Sequence, residues 1–171
     1  MLKGLFSAGR QAKRDDNELG KGVWRRAHDR FRRGLDRFHQ MLEGLAETES
    51  AAASGPADGT TVSGAHHYEA MVRLADQLAD LLPVVRSLAM EAQLLGPSEG
   101  MEIPTGTGGY LNDVHRELSR AGNALAATAE SLALLRLGVG TTQAVELKAD
   151  LVRQHVARAG ELIHGTSPTQ Q

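Results

Sequence analysis

The sequence predicts an all-α protein, most simply an antiparallel four-helix bundle, and three observations support this. Apolar residues recur at steps of three and four over four long segments, a spacing that gathers them on one face of an α-helix. Good helix formers dominate these segments, whereas runs of β-branched residues are absent. Glycine-rich stretches separate the segments. With 171 residues, the chain is long enough to bury one core of ordinary size.

Residues 1–20 form a basic segment that is interrupted by glycines. Its few apolar residues can make at most two helical turns, so we expect a flexible lead-in. The same segment has too short an apolar stretch to be a secretory signal.

The first long helix is predicted over residues 21–50 and carries two stripes of side chains. The apolar stripe consists of Trp24, Ala27, Phe31, Leu35, Phe38, Leu42 and Leu45. The basic stripe consists of Arg26, Arg30, Arg33 and Arg37. Asp29 and Asp36 lie within one helical turn of neighbouring arginines, so we expect them to neutralise part of this charge.

A segment of small residues, 51–64, contains Gly-Pro and Asp-Gly pairs and is predicted to be a linker. The helical core then spans residues 65–164. Its first helix should run over 65–95 with a kink at Pro83, because proline leaves the carbonyl of Ala79 without its helical donor.

Two more helices complete the predicted core. They follow the glycine-rich connection 96–109 and are joined by the short turn at residues 138–140, so they should form an antiparallel hairpin. Within the apolar arc of the last helix, His155 is expected to be a core or interface residue that is hydrogen-bonded to a neighbour. We expect the tail, 165–171, to be disordered.

The length of the 51–64 linker leaves a second architecture open. In this alternative, a three-helix core carries a detachable N-terminal basic helix.

The net charge of −2 conceals a strong asymmetry along the chain. Residues 1–37 carry 11 basic and 5 acidic residues, for +6, whereas residues 38–171 carry 8 and 16, for −8. Such asymmetry is typical of proteins with an electrostatic partner, although it also allows two copies of one chain to attract each other.

Several kinds of chemistry are disfavoured by the sequence. The absence of cysteine excludes disulfides and thiolate metal sites, and no nucleophile motif is present. A di-iron bundle needs two Glu-x-x-His pairs, but only Glu161 with His164 has this spacing on a predicted helix. We therefore predict no enzyme activity, no cofactor and no metal.

The predicted function is a non-enzymatic interaction or adaptor role, in which the first helix docks onto a partner protein. Its contact residues would be Trp24, Arg26, Arg30, Phe31, Arg33 and Arg37. The first alternative is peripheral binding of residues 1–37 to an anionic membrane, with contacts from Leu2, Lys3, Leu5, Phe6 and Arg10. A small metal- or ligand-binding bundle is the second alternative.

Partners and location follow from the same features. We rank a protein partner first, a membrane surface second and nucleic acid last, because no recognition-helix pattern is present. A homo-oligomer is compatible with the charge asymmetry. No segment approaches the roughly 18 apolar residues of a membrane span, so a cytoplasmic location is expected.

Overall fold

A computed structural model describes residues 11, 13–53 and 61–165, and within these ranges all side chains except those of 52–53 and 61–66. The helices are α1 (13–19), α2 (Val23–Ala53), α3 (Thr61–Ala79), α4 (Leu81–Leu95), α5 (Tyr110–Arg136) and α6 (Thr142–Gly165). A 3₁₀ turn, Thr107–Gly109, precedes α5. The predicted all-α bundle is confirmed.

The long helices alternate in direction along the chain, but they do not all pack beside antiparallel neighbours. Helices α2 and α6 each pack against α5 on one side and against the α3–α4 unit on the other. The connection from α4 to α5 therefore crosses the end of the bundle diagonally. As a result α2 and α5 are parallel neighbours, with Trp24 beside His115 and Gly34 beside Leu125. Helices α5 and α6 form the predicted antiparallel hairpin.

Helix α2 is a full member of the core. All seven residues of its predicted apolar stripe are buried, and Trp24, Phe31 and Phe38 have no exposed surface. Burial of a large apolar side chain contributes roughly 1.5–3 kcal/mol, so this stripe holds α2 firmly against the bundle. The alternative of a detachable first helix is therefore wrong.

The predicted kink at Pro83 is confirmed as a break between two helices. Helix α3 ends at Ala79, Asp80 forms a turn, and Pro83 is the third residue of α4. The interruption lies one turn before the proline, because its ring excludes the carbonyl four residues earlier from helical pairing.

The prediction of a flexible lead-in is wrong for residues 13–20. Residues 13–19 are helical, and both Leu19 and Asp15 are buried. The reason is a buried ion pair, in which the guanidinium of Arg86 in α4 lies 2.6 Å from Asp15. Residues 1–10 lie outside the described residues.

The predicted linker and tail are shorter than expected where the structure describes them. Residues 51–53 belong to α2, residues 61–64 belong to α3, and Gly165 is the last residue of α6. Residues 54–60 and 166–171 lie outside the described residues.

The connection from α4 to α5 caps the N-terminus of α2. The backbone N–H of Gly22 donates to the carbonyl of Ser98 at 3.0 Å, and the N–H of Val23 donates to its hydroxyl at 3.2 Å. The indole N–H of Trp24 donates to the carbonyl of Gly96 at 2.8 Å. We call these three hydrogen bonds the Ser98 cap. The first two satisfy backbone donors that the start of a helix leaves without partners, and the third satisfies a buried side-chain donor.

Candidate functional site

The arginines of α2 divide between two faces with different surroundings. On the face toward α1, Arg25 is 2.7 Å from Asp16 and 2.9 Å from Asp29. Asp29 also lies 3.7 Å from Arg32. The expected role of Asp29 is confirmed for these two arginines, and their charge is largely neutralised.

The opposite face carries the four arginines predicted to form the basic stripe. Arg26, Arg30, Arg33 and Arg37 are all exposed, and none forms an ion pair with a carboxylate in the described part of the chain. Asp36 is also exposed and forms no ion pair there, although it lines the same groove as Arg33 and Arg37. The predicted pairing of Asp36 with Arg32 or Arg33 is therefore absent, and its charge offsets that of the arginines only from a distance.

A fifth arginine reaches this face from the parallel helix α5. The guanidinium of Arg136 lies over Gly44, where a Cβ atom would overlap it. In the reverse direction, the stem of Arg30 lies over Gly122 of α5, and a Cβ there would be 3.0 Å from the Arg30 Cγ. We call these five residues the arginine ridge: Arg26, Arg30, Arg33, Arg37 and Arg136. At 1.5 Å per residue, positions 26 to 44 of α2 span about 27 Å.

Two methionines lie beside the ridge. Arg26 donates to the carbonyl of Gly100 at 3.3 Å and contacts the sulfur of Met101, a side chain that is 76% exposed. Further along, Met41 lines a shallow groove together with Arg33 and Arg37. Apolar, polarizable contacts are therefore present near both ends of the charged surface.

No protein-family model, curated protein or solved structure matches the chain. Across the described ranges, none of the helices combines the length and the apolar character that crossing a bilayer requires. A function must therefore be inferred from the arrangement of residues.

Two of the predicted partner-binding residues need correction. Trp24 and Phe31 have no exposed surface, since both belong to the core of the bundle. They cannot contact a partner while α2 is packed. The predicted membrane contacts, Leu2, Lys3, Leu5, Phe6 and Arg10, lie outside the described residues.

Two histidines near the N-terminal end of α2 have lowered pKa values. Burial lowers the pKa of His28 below its ordinary value of 6.5, and this effect outweighs the opposing influence of Asp29. Burial, together with the charge of Arg30, lowers the pKa of His115. Each histidine therefore takes up a proton more readily in the unfolded chain than in the fold.

We expect acid to destabilise the fold in the range where these histidines titrate. Because both folded pKa values are lowered, the stability that they contribute is present above pH 6.5 and is lost as the pH falls through the folded pKa values. Urea unfolding at about pH 7 and about pH 5 should show a lower free energy of unfolding at the acidic pH. In the variant H28Q/H115Q, the free energy of unfolding should change less between these two pH values. An equal change in the variant and the wild type would contradict this explanation.

Proposed function

We propose that this protein is a non-enzymatic helical interaction protein that docks an acidic segment of a partner protein on the arginine ridge. The observation that carries the proposal is the segregation of charge on α2. Arg25 and Arg32 are paired with carboxylates, whereas the ridge arginines are exposed and have no carboxylate partner among the described residues. Docking would use guanidinium groups rather than the buried aromatic stripe.

The shape of the ridge suits an elongated acidic segment. Its arginines follow the seam between two parallel helices over about 27 Å, which is the length of several turns of helix or of a short extended strand. Each guanidinium can bind a carboxylate through two parallel hydrogen bonds. A ridge with a surplus of positive charge also attracts an oppositely charged partner before contact and speeds its association.

The surroundings of the ridge favour a protein over nucleic acid. Met41 and Met101 offer apolar contacts that suit side chains rather than a phosphate backbone. Single-stranded nucleic acid is typically bound by exposed aromatic rings, on which its bases stack. The aromatic residues of α2, in contrast, are all buried.

Charge reversal on the ridge tests this proposal. We expect R33E/R37E to weaken the binding of a labelled peptide of alternating glutamate and leucine about tenfold, or about 1.4 kcal/mol, because both attraction and steering are lost. Fluorescence anisotropy with the full chain measures this affinity, and circular dichroism checks the fold. The matched control is R73E/R158E, which reverses two exposed arginines that have no carboxylate partner in the described ranges.

Each outcome bears on the proposal. Loss of binding in R33E/R37E with retention in R73E/R158E supports docking on the ridge. Equal losses in both variants would show a response to net charge alone and would contradict a defined site. Tighter binding to duplex DNA or to phosphatidylserine vesicles than to the peptide would replace the protein partner with nucleic acid or with the membrane alternative.

A further inference from the structure

A second polar cluster lies in the groove between α5 and α6, on a different side of α5 from the ridge. Its centre is Glu117, whose side chain is only 7% exposed. One carboxylate oxygen lies 2.7 Å from Nδ1 of His155, and the other accepts a hydrogen bond from Arg120 at 2.8 Å. His155 is thus an interface residue hydrogen-bonded to a neighbour, as its place in the apolar arc predicted.

This contact determines which imidazole nitrogen carries the proton. Burial raises the pKa of Glu117, but hydrogen bonds from His155 and Arg120 outweigh burial and bring that pKa below its ordinary value. The carboxylate is therefore ionised at neutral pH and accepts the hydrogen bond from Nδ1–H. In the neutral ring the lone pair is then on Nε2. Nε2 has no hydrogen-bond partner among the described residues.

The imidazole of His155 borders a groove that carries charges of both signs. His155 is 26% exposed and lines this groove with Arg120 and Arg158. Arg120 is about half exposed although it is bonded to Glu117, and Arg158 is exposed without an ion pair in the described part of the chain. Two guanidinium groups that can bind an oxyanion thus line the same groove as His155, together with the carboxylates of Glu117 and Glu161.

No other histidine with a described side chain has this arrangement. His164 also faces a carboxylate, but its contact with Glu91 uses Nε2, at 3.2 Å, and its side chain is 65% exposed. His28 has its Nδ1 beside Asp29 but is buried. His155 alone combines an Nδ1 that is hydrogen-bonded to a carboxylate, an Nε2 without a hydrogen-bond partner in the described part of the chain, and neighbouring arginines.

We propose that His155 is a phosphoryl acceptor that reacts with an acyl phosphate. Nε2 attacks phosphorus, an N–P bond forms, and the bond between phosphorus and the carboxylate oxygen of the donor breaks, so that the donor leaves as a free carboxylate. The reacting form is the neutral ring with its hydrogen on Nδ1, so no proton has to leave. The ionised Glu117 stabilises the positive charge that develops on the ring. Arg120 and Arg158 bind the phosphoryl oxygens.

Acetyl phosphate is the probe for this reaction, used with the full chain. Intact-mass spectrometry should show the addition of one phosphoryl group, and ³¹P NMR should show an N–P signal that is lost in acid. H155Q should abolish the labelling. H164Q is the matched control, since it removes a more exposed histidine whose carboxylate contact uses Nε2 instead of Nδ1. Its labelling should match that of the wild-type chain.

Positioning by Glu117 is tested separately from the fold. E117Q should label about tenfold or more slowly, because it no longer stabilises the charged ring, while circular dichroism and thermal unfolding establish that it is folded. R120A/R158A should also slow labelling. Any of these results would overturn the proposal: no phosphohistidine on the wild-type chain, equal labelling of His164, or unchanged rates in both E117Q and R120A/R158A. Phosphorylation of carboxylates alone, recognised by cleavage with hydroxylamine, would overturn it as well. The experiment does not involve the ridge, so its failure would leave the docking proposal standing.

Discussion

Substitution of Trp24 by alanine should lower the free energy of unfolding by about 3–5 kcal/mol, the largest single effect that we expect. The indole is fully buried where α2 meets α5 and the connection from α4 to α5. The centroid of its ring lies 5.9 Å from that of His115. Alanine would leave a cavity and would also leave the Gly96 carbonyl without its donor. The free energy of unfolding of small proteins is about 5–15 kcal/mol. A loss of this size should therefore shift the urea midpoint, followed by circular dichroism, by a large amount.

Phenylalanine at position 24 separates the two contributions. It fills most of the space but cannot donate a hydrogen bond to the Gly96 carbonyl. Trp24→Phe should therefore lower the free energy of unfolding by about 1–3 kcal/mol. Phe31→Leu is the comparison, because Phe31 is equally buried and has no polar atom to lose. If Trp24→Phe leaves the urea midpoint unchanged, the indole hydrogen bond does not stabilise the fold.

The helices and most of the core could be predicted from the sequence because they depend on local periodicity. An apolar stripe at steps of three and four indicates which face of a helix is buried, and for α2 all seven predicted positions are buried. The break near Pro83 is equally local, since it results from the ring of one residue acting on the preceding turn.

Contacts between distant segments could not be predicted in this way. The Ser98 cap joins atoms more than 70 residues apart, in a connection whose glycines and prolines are also typical of linkers. The parallel packing of α2 and α5 depends on the path of this connection across the bundle. The fold of α1 depends on the buried pair of Asp15 with Arg86, which spacing along one helix cannot reveal.

The candidate sites show the same division. The arginines at positions 26, 30, 33 and 37 follow from helical periodicity, but their lack of carboxylate partners depends on α1 delivering its acidic residues to the other face. Arg136 joins the ridge through the glycine opposite it on α2. Glu117 could not be singled out from the sequence, because its burial depends on the packing of α5 against His155 of α6.

Substitution of Gly22 by alanine should lower the free energy of unfolding by about 2–3 kcal/mol, the second large effect that we expect. Gly22 has no positive φ, so the cost does not come from backbone strain. A Cβ atom here would overlap both the hydroxyl and the backbone carbonyl group of Ser98. Because backbone atoms cannot rotate away, either the start of α2 or the 96–106 loop has to move, and the Ser98 cap is weakened.

Gly100→Ala is the matched control for this prediction, because Gly100 lies in the same loop with open space around its Cβ position and without a positive φ. Its urea midpoint should equal or slightly exceed that of the wild type, since alanine restricts the unfolded chain. Adding Ser98→Ala to Gly22→Ala distinguishes the source of the overlap. It removes only the hydroxyl, so stability should not return if the backbone of Ser98 is the obstacle. Full recovery in the double variant would show instead that the side chain alone sets the close approach of α2 to this loop.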